Sequence, residues 1–436
     1  QPKKYTGTYG TNGFYLPFKP TTQATGFNTV TYAGTGASQA ITGVGFEPDF
    51  TWIKLRSGAA SHVLIDSIRG NTKYLSSNAT SAESTSTDQF LSFDTDGFTL
   101  GPNSGAGGHT NISGSTYVAW CWKAGGAPTT TNTAGVGAIP TAGSVKVDGV
   151  NSGSALAGSI AATSISANTT AGFSVVTYTG TGANATVGHG LGVAPSLVIV
   201  KNRTLTDDWC VYSLPTGATL YAQLNLSSAF GANSTIWNNT APTSTVFSVG
   251  TYLSKSSSNY IAYSFAEVEG YSKIGSYTGN GSTSGPTITT GFRPRFVLMK
   301  RSDSTSDWRI LDTARDPSNP TSHVLYPNDS GAEYTGQDYL NITDSGFQLV
   351  NSSAAVNASG GTYIYLAIAD TTDAQFNFDA SGNQNNWTAN NINSNASGDT
   401  TYDIMTDVPT LTDEDTANYC VINPLNSSTT TVPTTS

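Results

Sequence analysis

The chain reads as an all-β protein of tandem β-sandwich, jelly-roll-like modules, and three observations predict that class. One unit recurs three times, opening on Tyr32-Ala-Gly-Thr-Gly36, Tyr178-Thr-Gly-Thr-Gly182 and Tyr277-Thr-Gly-Asn-Gly281. A repeat of this kind sets the architecture before any single element is considered. Within each unit, short β-branched and aromatic runs alternate with Gly, Asn, Asp, Ser and Pro, which is the pattern of strands and turns. Helical periodicity over three turns occurs nowhere in the chain. Two packed antiparallel sheets are preferred to a barrel because several short strands per hundred residues come with loops of mixed length.

Each opening turn leads to a Pro-bounded strand. Gly45-Phe-Glu-Pro48 precedes FTWIK, Gly192-Val-Ala-Pro195 precedes SLVIVK, and Gly291-Phe-Arg-Pro294 precedes RFVLMK. The units close on YVAWCW (117–122), YIAYSF (260–265) and YIYLAI (363–368). Pro48 and Pro195 are 147 residues apart, Pro195 and Pro294 only 99, so extra chain lies between the first two units.

The division that follows is an N-terminal segment (1–26), repeat 1 (27–126), a linker (127–172), repeat 2 (173–272), repeat 3 (273–370) and a C-terminal segment (371–436). The linker is rich in Gly, Ala, Ser and Thr. It is expected to be an extended connector with one or two short strands around Ser144–Asp148, not a packed domain. Repeats 2 and 3 abut and are expected to pack on each other more rigidly than repeats 1 and 2. The two terminal segments carry aromatics amid Gly and Asn, fit no repeat, and are expected to meet as one split cap.

Composition narrows the function. Charged residues are 11% of the chain, against roughly 25% in an average soluble domain, and polar uncharged residues replace them. A net charge of −10 with 19 scattered basic residues argues against nucleic-acid binding. No apolar run approaches the ~18 residues of a membrane-spanning helix, so membrane insertion is not expected. The start, Gln-Pro-Lys-Lys, lacks a Met and an apolar signal core; a processed end or part of a longer product is expected. Cys121, Cys210 and Cys420 have no metal-ligand spacing, and buried free thiols made in a reducing cytosol are the expected reading.

The strongest polar pattern belongs to repeats 1 and 3. Asp66 and Arg69 correspond to Asp312 and Arg315, and Asn78 with Glu83 corresponds to Asn328 with Glu333. Repeat 2 has Ser213 and Thr216 in place of the Asp and Arg. These eight residues are either a carbohydrate or ion site in two modules, or ion pairs that anchor a loop to the sheet; the structural reading is preferred. His62 stands where Trp308 stands in repeat 3, so the four histidines form no repeated set, and no metal or other cofactor is expected. Asp94-Thr-Asp-Gly97 begins like a calcium loop, but its twelfth position is Gly105, so a turn entering a strand is expected. No paired carboxylates of a glycosidase, nucleophile elbow or phosphate loop is legible, and an enzyme is not expected. Among the aromatics, strand tryptophans are expected in cores, and the loop residues Tyr334 and Tyr339 are the surface candidates.

The strings GFEPDFTWIK, SFDTDGFTLG and YVAWCWKAGG, then TAGFSVVTYTGTGANATVGHGLGVAP and IAYSFAEVEGYSKIGSYTGNG, then GFRPRFVLMKR and TYIYLAIAD resemble a repeated β domain of unknown function. That domain occurs in structural proteins of tailed bacteriophages, particularly marine ones. The resemblance extends to TNGFYLPF and to SGNQNNWTANN … NYCVINPL, so it covers nearly the whole chain. It implies a non-enzymatic virion protein, made in the host cytoplasm, and a tail fibre or spike component contacting host-surface glycans through multivalent weak contacts. The alternatives are an architectural capsid, tail or fibre protein without receptor binding, and a polysaccharide depolymerase. The partners expected are further copies of the chain, a trimer among the options, other virion proteins and a host glycan.

Overall fold

The computed structural model describes residues 25–102 and 110–371. The terminal segments assigned to a split cap, together with Cys420, His109 and Gly105, lie outside the described residues. What is described is all-β, with two single-turn helices.

Module 1 contains β1 (Phe27–Ala33), β2 (Gln39–Ile41), β3 (Phe50–Leu55), β4 (Val63–Asp66), β5 (Lys73–Tyr74), β6 (Ser84–Thr85), β7 (Phe90–Asp94), β8 (Gly97–Leu100) and β9 (Thr116–Trp122). Between modules come β10 (Val145–Val147), β11 (Val150–Asn151) and β12 (Ser164–Asn168). Module 2 contains β13 (Phe173–Thr179), β14 (Ala185–Gly188), β15 (Leu197–Asn202), β16 (Cys210–Ser213), β17 (Leu220–Gln223), β18 (Gly231–Ala232), α1 (Ser234–Trp237), β19 (Val246–Val249) and β20 (Asn259–Phe265). Module 3 contains β21 (Ser272–Thr278), β22 (Thr287–Thr289), β23 (Pro294–Arg301), β24 (Arg309–Asp312), β25 (Leu340–Thr343), β26 (Gly346–Leu349), α2 (Ala354–Asn357) and β27 (Thr362–Ala369).

One antiparallel sheet is built three times with the same strand order: β1-β9-β3-β4, then β13-β20-β15-β16, then β21-β27-β23-β24. A smaller sheet accompanies it in each module, β2-β8-β7, β14-β19 and β22-β26-β25. In module 1 the two sheets enclose a core of residues such as Ile53, Leu55, Phe90, Phe98, Tyr117 and Ala119. Side chains alternate across a strand. On β3 and β9 the other set of side chains, Phe50, Trp52, Val118, Trp120 and Trp122, therefore faces the opposite way and is also buried.

That second face explains the arrangement of modules. Phe50 and Trp122 of module 1, Phe173, Tyr263 and Phe265 of module 2, and Phe296 and Leu366 of module 3 belong to one hydrophobic cluster. Phe50 stacks on Tyr263 at 4.3 Å between centroids, and Trp122 meets Phe296 edge-on at 5.8 Å. The main sheet of each module is thus sandwiched between its own small sheet and a core shared by all three. Fully burying each large apolar side chain contributes about 1.5–3 kcal/mol, which is why FTWIKL and YVAWCW carry large apolar residues on both faces. The space left at the centre of this cluster is ≈ 10 Å³, too small for a ligand.

The opening motif has a physical cause at each glycine. A Cβ on Gly34, Gly180 or Gly279 would lie 2.3 Å from the carbonyl oxygen of Ile112, Lys255 or Ala358, so two backbones meet there. Gly36, Gly182 and Gly281 have φ of +71°, +85° and +70°, the left-handed region that glycine enters without a steric penalty. The opening tyrosines stack on Tyr117, Tyr260 and Tyr363 of the closing strands, with centroids 5.0, 5.0 and 4.8 Å apart.

One expectation needs correction. Residues 127–172 are no free connector: β12 pairs antiparallel with β13, and β10 lies parallel to β12, extending the sheet of module 2 to nine strands. Leu156, Ala162, Ile165 and Ala167 are buried in the core of module 2. Small Ala and Ser side chains let these strands lie close on the sheet, so the composition that suggests a linker here belongs to tight packing. Modules 2 and 3 follow one another through the short stretch 266–271, and a shared frame of bonds, described below, joins all three pairs of modules.

Candidate functional site

The eight polar residues singled out in the sequence lie where modules meet. Several sets of bonds recur at all three junctions: those of the ring nitrogens and lysines are donated from module 1 to 3, from 2 to 1 and from 3 to 2, and a backbone set is donated the opposite way. His62, Trp209 and Trp308 occupy equivalent positions just before β4, β16 and β24. Their ring nitrogens bond the carbonyls of Tyr326 (3.0 Å), Ser76 (3.0 Å) and Gln223 (2.9 Å). Lys54, Lys201 and Lys300 reach the carbonyls of Ser330 (3.1 Å), Thr80 (2.9 Å) and Ser227 (3.2 Å). The amides of Glu333, Glu83 and Phe230 donate to the carbonyls of Arg56 (2.9 Å), Arg203 (2.9 Å) and Ser302 (3.0 Å). The modules close a ring.

Each lysine is almost fully buried. Burial lowers all three from 10.5 to about 8, with the carboxylates of Asp329 and Glu333 opposing the shift at Lys54 and those of Asp207 and Asp208 opposing it at Lys201. His62 is buried as well, and burial followed by the nearby Lys54 charge lowers it to about 3. Its Nδ1 lies 2.8 Å from Trp52 Nε1, an indole N–H that can only donate. The network therefore assigns the His62 proton to Nε2, which donates to Tyr326.

On this frame sit two ion-pair networks. Where module 2 meets module 1, Arg203 Nε lies 2.7 Å from Glu83 Oε2, and Arg69 Nη1 lies 3.4 Å from the same oxygen. Arg69 Nε bonds Asp66 Oδ2 at 2.6 Å, and Tyr263 Oη donates to that oxygen at 2.8 Å. Where module 1 meets module 3, Arg56 and Arg315 each lie 2.8 Å from Glu333. Arg315 Nε bonds Asp312 Oδ2 at 2.6 Å, Trp120 Nε1 donates to it at 2.9 Å, and the Arg315 guanidinium lies over the Trp120 ring. The Asp and Arg side chains of both i,i+3 pairs are 0% exposed. At Glu83 and Glu333 burial works to raise the carboxyl, yet bonds from Arg203 and Arg56 with the charges of Arg69 and Arg315 hold both below the usual range.

The third junction lacks this network as a set. The position of Arg56 and Arg203 is Ser302, that of Glu83 and Glu333 is Phe230, and Asp and Arg are Ser213 and Thr216. Trp120 and Tyr263, the donors to aspartate, correspond to Leu366. Donor and acceptor are lost together. Phe230 packs against the shared core instead.

Asn78 and Asn328 accept bonds from the backbone amides of His62 (2.9 Å) and Trp308 (2.8 Å), and Asn225 accepts one from Trp209 (2.9 Å). Sequence reasoning missed Asn225 as an equivalent, and it missed the lysines, Arg56, Arg203, Trp120 and Tyr263. The signal for the lysines lies in the sequence, since each closes a Pro-bounded strand. For the others, only pairing of positions across repeats could have shown it.

Elsewhere, Asp94 and Gly97 face each other in the β7–β8 hairpin, and Asp96 accepts from the amides of Gly43 (3.0 Å) and Gly45 (2.6 Å), so this is a turn. Among the described residues no group of His, Cys, Asp and Glu could hold a metal ion, and no helix is long and apolar enough to cross a membrane. Cys121 and Cys210 are free and buried, and burial pushes both thiols up. Tyr334 is exposed, whereas Tyr339 is buried near Arg309, which corrects its reading as a surface residue. A family model described as a domain of unknown function, DUF7483, matches residues 22–149 and 146–372. The first match takes in module 1 and the second takes in modules 2 and 3. Neither a curated protein nor a solved structure matches the chain.

Proposed function

The chain belongs to the DUF7483 family, and we propose that it is a non-enzymatic structural protein of a bacteriophage particle, a fibre or spike component in which the three-module ring is a building block. The observation that carries this reading is the use of the recurring polar residues. Asp66, Glu83, Asp312 and Glu333 accept bonds across junctions, while Arg69, Asn78, Arg315 and Asn328 hold those carboxylates and loops in place, so the recurring polar set serves the contacts between modules. The resemblance of the repeats to domains of tailed-phage structural proteins supplies the particle. Copies of the chain and other virion proteins are the expected partners.

Contact with a host glycan is the second reading. It moves away from those eight residues to exposed loop aromatics, of which Tyr334 is the described example. An antibody against residues 22–371, applied to purified particles of the encoding phage, tests the first reading by electron microscopy. Label at a fixed place on the particle is expected, and protein found only free in the lysate would overturn it. For the second, a Tyr334→Ala phage should adsorb to host cells several-fold more slowly, and unchanged adsorption removes that residue from receptor contact. Host polysaccharide should keep its length in the presence of purified protein; shortening would favour a depolymerase instead.

A further inference from the structure

Both ends of the ring leave through one pole. In module 1, Phe27 at the start of β1 faces Trp122 at the end of β9, which in turn faces Phe50 at the start of β3. In module 3, Ile368 near the end of β27 faces Phe296 near the start of β23. These ends meet, since the Phe27 ring lies 5.3 Å from that of Phe296. Arg295 ties them further: its Nη2 donates to the Thr29 carbonyl at 3.1 Å, and its Nη1 lies 3.6 Å from Asp370 Oδ1. The chain therefore enters at Thr25 and leaves at Thr371 side by side.

Tension carried by the chain pulls these two points apart, across the strands and not along them. Loaded that way, the bonds of a strand break one pair after another from its end. A strand pulled along its axis loads all of them together. The same tension acts on β1 and on β27, so the weaker strand yields. Among the described strands β1 pairs with β9 alone, while β27 pairs with both β21 and β23. Only Phe27 and Thr29 of β1 are buried, whereas every residue of β27 except Thr362 is buried. In module 2 the equivalent strand, β13, is held on both sides, by β12 and β20.

Release of β1 leaves the ring closed. Lys54, Arg56 and His62, which reach module 3, belong to β3 and the loop after it, and Trp120 belongs to β9. What β1 gives up toward module 3 is the Arg295–Thr29 bond and the place of the Phe27 ring beside Trp122 (4.9 Å) and Phe296. Just beyond β1 the Gly34 amide still holds the Ser115 carbonyl, which keeps the strand in register for its return.

We infer that β1 is a tension-released clasp, the edge strand that lets go first when the chain is pulled and re-forms when the load falls. Its seven residues give up about 25 Å of chain, at ~3.5 Å each. Nothing in this device depends on the role in the particle.

Optical tweezers on the full chain, with handles attached to azide-bearing residues placed at Thr25 and Thr371, test the clasp. A first, reversible step that frees about 25 Å of chain is expected, well before the roughly 1,200 Å released when residues 25–371 unfold. Ser113 lies at the other pole, so handles at Ser113 and Thr371 pull β9 and β27 along their axes, and the first event should then need several-fold more force. Asn28→Cys sets a thiol directly opposite the native Cys121. Opposite residues of antiparallel strands have Cα atoms about 4.5–5.5 Å apart, within reach of a disulfide. With handles at Thr25 and Thr371, the oxidised variant should lack the first step and regain it on reduction. Unfolding of the whole ring without a first step would overturn the inference. So would a first event needing no less force than with handles at Ser113 and Thr371, or a first step that persists with the disulfide closed.

Discussion

Replacing Asp312 by Ala tests how the buried network holds its junction. The carboxylate accepts three bonds, from Arg315 Nε (2.6 Å), from the Arg315 amide (2.9 Å) and from Trp120 Nε1 (2.9 Å). The Asp312 and Arg315 side chains are both 0% exposed, so water cannot take over these bonds. Arg315 would keep Glu333 and the Ile310 carbonyl but lose its nearer carboxylate. Breaking a buried pair by removing one partner costs about 3–5 kcal/mol. Each orphaned neutral N–H alone costs about 1–3 kcal/mol, but the three bonds converge on one group and their costs overlap. A loss of about 4 kcal/mol is expected, a large part of the ~5–15 kcal/mol that holds a typical protein folded. The informative comparison is Asp312→Ser/Arg315→Thr, which copies Ser213 and Thr216 and leaves no unpaired guanidinium. It should cost about 2 kcal/mol or less, so the double variant is more stable than the single one. Urea unfolding followed by tryptophan fluorescence measures both, with the midpoint shifting and the slope unchanged. A double variant at least as destabilised as Asp312→Ala would refute the reasoning.

Four further outcomes follow from the same geometry. Gly180→Ala should cost about 1–3 kcal/mol through its clash with the Lys255 carbonyl, and Gly182→Ala about 1–2 kcal/mol through its positive φ, both read by urea unfolding. Trp52 and His62 hold the places of Ile199 and Trp209, so Trp52→Ile/His62→Trp should be less destabilised than the sum of its single variants by about 0.5–3 kcal/mol; an additive cycle would contradict the equivalence. For the lysines, the folded state binds fewer protons than the unfolded state between about 8 and 10.5, so their contribution to stability rises with pH across that window and is lost as pH falls through 8. The difference in unfolding free energy between wild type and Lys201→Met at pH 7.5, 8.5 and 9.5 isolates one of them, and its independence of pH would contradict the assignment. Glu83 and Glu333, held below 4.5, contribute stability that is present above that value and lost as pH falls through their folded values, so Glu333→Gln should flatten the acid limb of stability.

Strands and turns were legible because their causes are local. The Tyr-x-Gly-x-Gly turns, the Pro-bounded strands and the closing aromatic strands each take their form from residues a few positions apart. The ring was hidden because its bonds join residues far apart, Lys54 to Ser330 or Trp120 to Asp312. Local strand patterns were equally compatible with beads on a string. Alternation carries a hint of it: FTWIKL and YVAWCW have large apolar residues on both faces, and a module with one small sheet can cover only one of them. The missing Asp and Arg of repeat 2 were visible as Ser213 and Thr216, but their significance depended on Phe230, Ser302 and Leu366, which become partners only across a junction. The burial of Tyr339 is hidden for a related reason, since a loop position says nothing about which neighbour covers it.

The central account is that three modules share one core and close one ring. Native-state hydrogen exchange on the full chain, followed by mass spectrometry of peptides covering β3, β15 and β23, tests it most directly. These strands lie at the same place in each module and contribute Phe50, Ile199 and Phe296 to the common cluster. The account predicts that their slowest amides open with one shared free energy, and that Asp312→Ala lowers it equally in all three modules. Separate opening energies, with the loss confined to modules 1 and 3, would show independent modules and contradict the ring.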